Sequence, residues 1–531
     1  MGKIRKVAVV AAALSAALVM AGCGSGTDAG NAESKISIWG GEPQNPLVPG
    51  NTTEAYGSKV VRSMFTGLTQ YDPATYKSKD AMAEKIDIKE GSKVFDITIK
   101  KGWKFHDGTE VKAKNFVDAW NYTAFGPNGQ GGASFLQAVD GYDATNAKDS
   151  TVKELKGLKV VSDYEFTVTM AKPFAIFPQF LGYVTFSPLP DSFFKDPKAF
   201  EAKPIGNGPF KFVSRVPNAN IELTRYDEYQ GADKPHFKDL DVKVYSSQEA
   251  AYTDLVAGNL DYMDTIPSTG LNGDKYKTDL PDRNGEINSP IIQTLQFPTY
   301  DERYKSPDLR KAISKAINRP QITEKIFNNA RVPLYGWVGP SISGYTDNQC
   351  GDNCKYDPAA AKQLLEKSGF KGKIEISTNG DGGHGPWIEA VCNDIKNNLG
   401  LDCAFVPVPT FSEVLAKEKA KQMTALFRQG WIADYPSIEN FLRQLYETGA
   451  GNNYSGYSNP AFDAKLKEAD QKPNETEANK AYQEAEKMIA NDMPSIPLWF
   501  QKTQSGWSPR LSNVRTALWA ELDLSTVTVT G

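Results

Sequence analysis

After Met20 the chain runs to Gly531 without a second long apolar stretch. A membrane-crossing helix needs about 20 consecutive apolar residues, so everything beyond the N-terminal run is expected to fold in water around cores of its own. A body of about 500 residues exceeds what one core organises, since single cores stop growing near 250–300 residues. Two or three domains are therefore expected, and their patterning is mixed. Phe95, Ile97 and Ile99 alternate with Asp96, Thr98 and Lys100, the period of a half-buried strand. A turn follows at Asp107-Gly108, then Phe116, Ala119, Trp120 and Thr123 recur at helical spacing, and Phe166, Val168 and Met170 return to the strand period. Ser306-Pro307 and Asp357-Pro358 each read as a capped helix start, the second helix stopping at Gly369. Ile374 and Ile376 begin a strand, Trp387, Val391, Ile395 and Leu399 line a helix ended by Gly400, and Cys403 to Val406 reads as the next strand. That alternation implies crossover units on a sheet, an α/β class.

The first 22 residues have a basic start (Lys3, Arg5, Lys6), an apolar run from Val7 to Met20, and small residues Ala21 and Gly22 before Cys23. This is the pattern of a secretory signal. Met20-Ala21-Gly22-Cys23 resembles the processing box of bacterial lipoproteins, which implies lipidation of Cys23 and a membrane anchor of buried acyl chains. Residues 23–35 are small and polar, too poor in apolar groups to repay ordering, and read as a leash.

The chain carries 60 basic and 64 acidic residues, and loss of Lys3, Arg5 and Lys6 with the leader makes the balance three units more negative. No clustered positive charge marks a nucleic-acid footprint. Four cysteines remain beyond Cys23. An even number suits an oxidising exterior, and of the three pairings four cysteines allow, we expect Cys350 with Cys354 across Gly351-Asp352-Asn353, and Cys392 with Cys403. The histidines are His106, His236 and His384, none beside a cysteine, so neither a metal nor a cofactor is expected. The sequence contains no Gly-x-Ser-x-Gly elbow and no His-Glu-x-x-His helix, which argues against a secreted hydrolase.

Five stretches, in order, carry a family likeness: Gly67-Leu68-Thr69; Phe95-Asp96-Ile97-Thr98-Ile99-Lys100-Lys101-Gly102-Trp103-Lys104-Phe105-His106-Asp107-Gly108-Thr109; Ile205-Gly206-Asn207-Gly208-Pro209-Phe210; Asp308 to Ile313 with Ala316-Ile317-Asn318-Arg319; and Gly430-Trp431-Ile432-Ala433-Asp434-Tyr435-Pro436. Through them the chain resembles the family 5 extracellular solute-binding proteins, the capture subunits of peptide ABC importers. The resemblance implies a two-lobed, periplasmic-binding-protein-like fold of type II in its large three-domain form, with a hinge between lobes that close on a peptide. Lobe I is then 36–75, 205–290 and 497–531, an additional domain packed on it is 76–204, and lobe II is 291–496. It further implies a monomer at the extracellular face of the cell membrane, handing peptides to permease subunits. Other branches carry nickel chelates, haem or oligosaccharides, and a peptide sensor or adhesin is a further alternative.

The resemblance also implies site residues. Asp434 takes the position that holds a ligand's ammonium, a charge-assisted contact; the residues alone favour a role in starting the helix that reaches Tyr446. Gly430 and Ile432 around Trp431, and Trp39, Gly40 and Gly41 near the mature start, look like main-chain rails on which an extended ligand pairs as an added strand. Arg428 and His384 stand where some oligopeptide binders neutralise the ligand's carboxylate, and Trp431 with Tyr435 suits a side-chain pocket or core. His106 reads as part of a turn, not as a catalyst.

Overall fold

The computed structural model describes residues 34–73, 75–245, 247–380, 383–409 and 411–530. The leader, Cys23 and nearly all of the expected leash lie outside them.

Two long antiparallel strands, Asn284–Gln296 and Ser495–Trp507, organise the molecule. They lie in the middle of one mixed sheet of eleven strands among the described residues. On one side follow Tyr262–Met263, Lys35–Gly40, Asp239–Val244, Asn220–Arg225 and Phe210–Val216; on the other, Leu426–Ile432, Ile374–Ser377 and Cys403–Phe405. Arg331–Pro333 pairs with the Ser495–Trp507 strand outside that path. The register of the long pair shifts between Asn288 and Ile292 and again at Gln293 and Thr294. Such irregularities loosen the ladder and bend a strand, and here they fall between the two halves of the sheet. This pair of strands links the two halves.

The additional domain has its own antiparallel sheet, ordered Ala83–Lys89, Val94–Ile99, Glu165–Thr169, Leu158–Ser162. The strand period read from sequence holds: Phe95, Ile97, Ile99, Phe166, Val168 and Met170 are fully buried. The helix Ala113–Ala124 covers that face, with Trp120 edge-on to Phe166 at 5.6 Å and its indole donating to the Phe186 carbonyl at 3.1 Å. The same region also reaches the stretch 435–470: the Ala175 amide donates to the Asp470 carbonyl at 2.9 Å, and the Phe180 ring lies 4.0 Å from that of Tyr435.

In lobe II the helix openings differ from one another. Asp357 caps Pro358–Ser368 by accepting from the Ala360 amide, whereas Ser306 makes no side-chain cap to Pro307–Ala316, contrary to expectation. Gly369 and Gly400 end their helices at φ 68° and 70°, the left-handed stop that favours glycine. Arg319 is buried without a carboxylate; its guanidinium donates to the carbonyls of Pro497, Ser314 and Cys354, tying the helices to a crossing strand. Cys350 joins Cys354 and Cys392 joins Cys403, with Cα separations of 5.7 and 5.0 Å, as read from sequence. Among the described residues no helix is long and apolar enough to cross a membrane, and no group of three or more His, Cys, Asp or Glu side chains is placed to hold a metal.

Candidate functional site

Three cavities that share lining residues run along the cleft between lobes. A middle one of 300 Å³ is lined by Trp39, Tyr56, Lys59, Ile432, Asp434 and Trp519 among others. It shares Thr53 and Asp434 with a larger one of 790 Å³ between the additional domain and lobe II. It shares Thr265, Gln501 and Thr503 with a third of 370 Å³ that holds Arg331, His384 and Trp387.

Two strands border the cleft here. Ile374–Ser377 pairs with Leu426–Ile432 only at Leu426 and Phe427, so from Arg428 onward that edge has no strand partner among the described residues. Lys35–Gly40 pairs along its whole length with Asp239–Val244, and its other edge is largely taken: Ile38 pairs with Tyr262, Ser37 exchanges hydrogen bonds with Asp261, and the Trp39 carbonyl accepts from Lys59 Nζ at 3.1 Å. Unpaired backbone groups on a strand edge are a template for an added strand. Alternation along Arg428–Ile432 sends neighbouring side chains to opposite faces. Trp431 lines the largest compartment, while Ile432 is 50 % exposed in the middle one. The Arg428 guanidinium lies against Gly430, where a Cβ would collide with it. Gly40 and Gly41 likewise make room: a Cβ would meet Val242 at 2.5 Å in the first case and the Tyr56 ring at 2.6 Å in the second. Neither glycine lines a compartment.

Asp434 sits at the junction of the middle and largest compartments. Its Oδ2 accepts from Asn440 Nδ2 at 3.0 Å, and its amide donates to Asn440 Oδ1 at 3.1 Å. Among the described residues no lysine, arginine or histidine forms an ion pair with it, whereas Asp264 is matched by Lys59 and Glu521 by Arg62, and Glu54 accepts from the Gln44 and Gly57 amides at the start of its helix. Burial pushes the Asp434 carboxyl up to about 6, against the Asn440 hydrogen bond that favours the charged form, and Glu439 pushes in the same direction as burial. The helix Ile438–Tyr446 is started by Ser437, whose hydroxyl accepts from the Glu439 amide, so Asp434 is not its cap. Tyr435 is buried, its hydroxyl donating to Glu439 and its ring against Phe180, which makes it a wall of the largest compartment.

At the opposite end positive charge collects. Arg331 is placed by the pairing of Arg331 with Gln501. Its guanidinium donates to the Ala330 carbonyl at 3.0 Å, lies over Phe327 at 5.5 Å, and forms no ion pair among the described residues. Burial and the nearby Arg428 push it down to about 10. Arg428 is itself pushed down by burial, with Glu418 opposing, and its Nε lacks a partner among the described residues. His384 precedes the helix Gly385–Leu399, and its Nδ1 accepts from the Trp387 indole at 3.2 Å. Arg331 and His384 line one compartment, and Arg428 on the strand lies near Arg331.

Sequence reading missed Arg331, Asn440, Tyr56 and Trp519. The signal for Asn440 was its place six residues after Asp434 on a buried helix face. Nothing local marks Arg331. His106 lines none of the three compartments; its ring bridges the Gly206 amide and the Gly208 carbonyl at 3.1 and 3.0 Å, and burial pushes it down to about 4.

A family model described as bacterial extracellular solute-binding proteins, family 5 Middle, matches residues 77–453. The chain is similar to the oligopeptide-binding protein OppA of Bacillus subtilis, at 26 % identity over 91 % of this chain and 92 % of that one. It is similar to the periplasmic oligopeptide-binding protein OppA of Salmonella typhimurium, at 25 % identity over 94 % of each. Among solved structures, Haemophilus influenzae OppA in complex with RPPGFSPFR superposes with a TM-score of 0.75 at 21 % identity, covering 94 % of this chain and 100 % of that one. That likeness speaks for the fold.

Proposed function

Because this chain belongs to the bacterial extracellular solute-binding proteins of family 5, we propose that it captures peptides between its lobes and delivers them to the permease of an ABC importer. One observation carries this reading: among the described residues the cleft holds an anion without a cationic partner, Asp434, and at its far end a cation without an anionic one, Arg331, with the open edge of Arg428–Ile432 between them. An extended peptide with free termini supplies the missing partner to each and hydrogen-bonding groups to that edge. Its ammonium meets Asp434; its carboxylate meets Arg331, supported by Arg428 and His384. Charge-assisted hydrogen bonds of this kind are about twice as strong as neutral ones, and they read termini and main chain while leaving side chains to the compartments. Trp39, Ile432 and Trp431 are the apolar surfaces offered to those side chains. Gly40, Gly41 and Gly430 serve by keeping the backbone close to its neighbours.

On this reading lobe I comprises 36–75, 205–290 and 497–531, and lobe II 291–496, with 76–204 as the additional domain. Cys23 carries the lipid that keeps the receptor beside its permease as a monomer. Replacing Cys23 with serine then releases or misprocesses the protein in cells while peptide affinity stays unchanged; retention at the membrane after that change refutes the anchor. The capture reading is tested by mass spectrometry of ligands released on denaturing the purified protein. Peptides of mixed sequence and narrow length support it, and a single non-peptide compound overturns it.

A further inference from the structure

Trp519 is held in an unusual backbone. It lies at φ 64°, ψ 14°, and Ala520 follows at φ 66°, two successive non-glycine residues in the left-handed region. Non-glycine residues visit that region only at a cost in free energy, so the surroundings must hold them there. Arg62 does part of this: its guanidinium lies 4.3 Å from the centre of the Trp519 ring and forms a two-pronged ion pair with Glu521. Tyr71 packs edge-on against the same ring at 5.6 Å, and Tyr262 donates to the Ala520 carbonyl. All three belong to the lobe I side. The indole, however, points across: Nε1 donates to the carbonyl of Ala433 at 2.9 Å. Ala433 ends the open-edged strand, its amide donates to Pro290 in the linking strand, and it immediately precedes Asp434. Trp519 and Asp434 line the same compartment.

We infer that Trp519 is a positioning residue that couples occupancy of Asp434 to lobe closure, its indole fixing the Ala433 carbonyl so that the Asp434 carboxylate is aimed at the ligand's ammonium. Ala433 is tied to Pro290 inside the Asn288–Ile292 irregularity, so bending there moves Ala433 relative to the Trp519 segment, and the 2.9 Å bond holds the arrangement in which the two are together. On the other side of Asp434 the additional domain does the same for Tyr435 through Phe180. The turn Ala433–Tyr435 is thereby gripped from both bodies that face it.

This inference rests on the peptide reading above. The experiment compares the wild type with Trp519→Phe, which keeps an aromatic ring near Arg62 and Tyr71 and removes the N–H together with the five-membered part of the indole. The probe is the peptide retained most strongly by the wild type from an unblocked library of two to nine residues. One hydrogen bond contributes about 1 kcal/mol, roughly fivefold in affinity. The expected result is a loss of about fivefold for the free peptide, carried by faster dissociation, with the unliganded melting temperature unchanged and with little further loss when Asp434→Asn is already present. Equal affinity in both proteins overturns the inference, as does a lower unliganded melting temperature with no loss of affinity. If Trp519→Phe does not fold, Arg62→Gln leaves the N–H and removes the cation seating the ring; unchanged peptide affinity there also overturns it. Retention of no peptide by the wild type removes the peptide reading itself, and this inference with it.

Discussion

Asp434 and Asn440 hold each other through two hydrogen bonds, Asn440 Nδ2 to Asp434 Oδ2 at 3.0 Å and the Asp434 amide to Asn440 Oδ1 at 3.1 Å. Asn440 Oδ1 also accepts from the Trp431 indole at 2.9 Å. Asn440 is fully buried on the helix Ile438–Tyr446, so the carboxylate is fixed by a rigid element and not by its own loop. One carboxylate oxygen is spoken for and the group carries no cation. The arrangement leaves Asp434 able to accept a proton or an ammonium, and the two compete.

That competition sets a pH dependence. An aspartate in an unfolded chain titrates near about 3.9, and burial lifts Asp434 to about 6. The folded state therefore binds this proton more tightly than the unfolded one, so the group's contribution to stability is complete below about pH 4 and is lost as pH rises through about 6. Ammonium binding needs the carboxylate, so affinity moves the opposite way: it rises from pH 4.5 to 6 and levels off above. Calorimetric titrations with a free peptide across that range, set beside denaturant unfolding of the unliganded protein, are expected to show the two opposed trends, and Asp434→Asn to flatten both.

At the other end of the cleft, Arg331→Gln is expected to weaken peptides with a free carboxylate by tenfold to a hundredfold, the range of about 1.5–3 kcal/mol for hydrogen bonds to charged groups. C-amidated peptides are expected to lose little. Similar losses for both would assign Arg331 to holding the Arg331–Pro333 strand in place.

The Cys392–Cys403 bridge closes a loop with a sequence separation of 11 between a lobe II helix and the outermost strand of that half of the sheet. Closing a loop of this size restricts the unfolded chain by about 2–3 kcal/mol. Replacing both cysteines with serine is expected to lower the melting temperature by several degrees and to leave peptide affinity unchanged, since neither residue lines the cleft.

How much of this was legible in advance follows from the range of the interactions involved. The strand of Phe95, Ile97 and Ile99 announces itself because one face is buried and the period is two. The stops at Gly369 and Gly400 are local backbone chemistry. Asp434 was found through the motif around Gly430-Trp431, yet the residues that give it meaning were not. Arg331 looks like any basic residue after alanine until its strand pairs with Gln501, far along the chain. Trp519 becomes a cleft residue only because two left-handed residues turn it toward Ala433, and neither is the glycine that would advertise such a turn. The capping expected of Ser306 failed where that of Asp357 held, although both precede a proline. The reach of Ala175 and Phe180 to the stretch 435–470 depends on tertiary packing that no local pattern encodes.

The central claim is that Asp434 receives a peptide's ammonium, and paired titrations test it most directly. Wild-type protein and Asp434→Asn are titrated at pH 7 with one peptide in free and N-acetylated forms. Removing one partner of a buried, hydrogen-bonded charge pair costs about 2–5 kcal/mol, so the substitution is predicted to weaken the free peptide by at least about thirtyfold and to change binding of the acetylated peptide by no more than a few-fold. Equal losses for the two peptides would contradict the account.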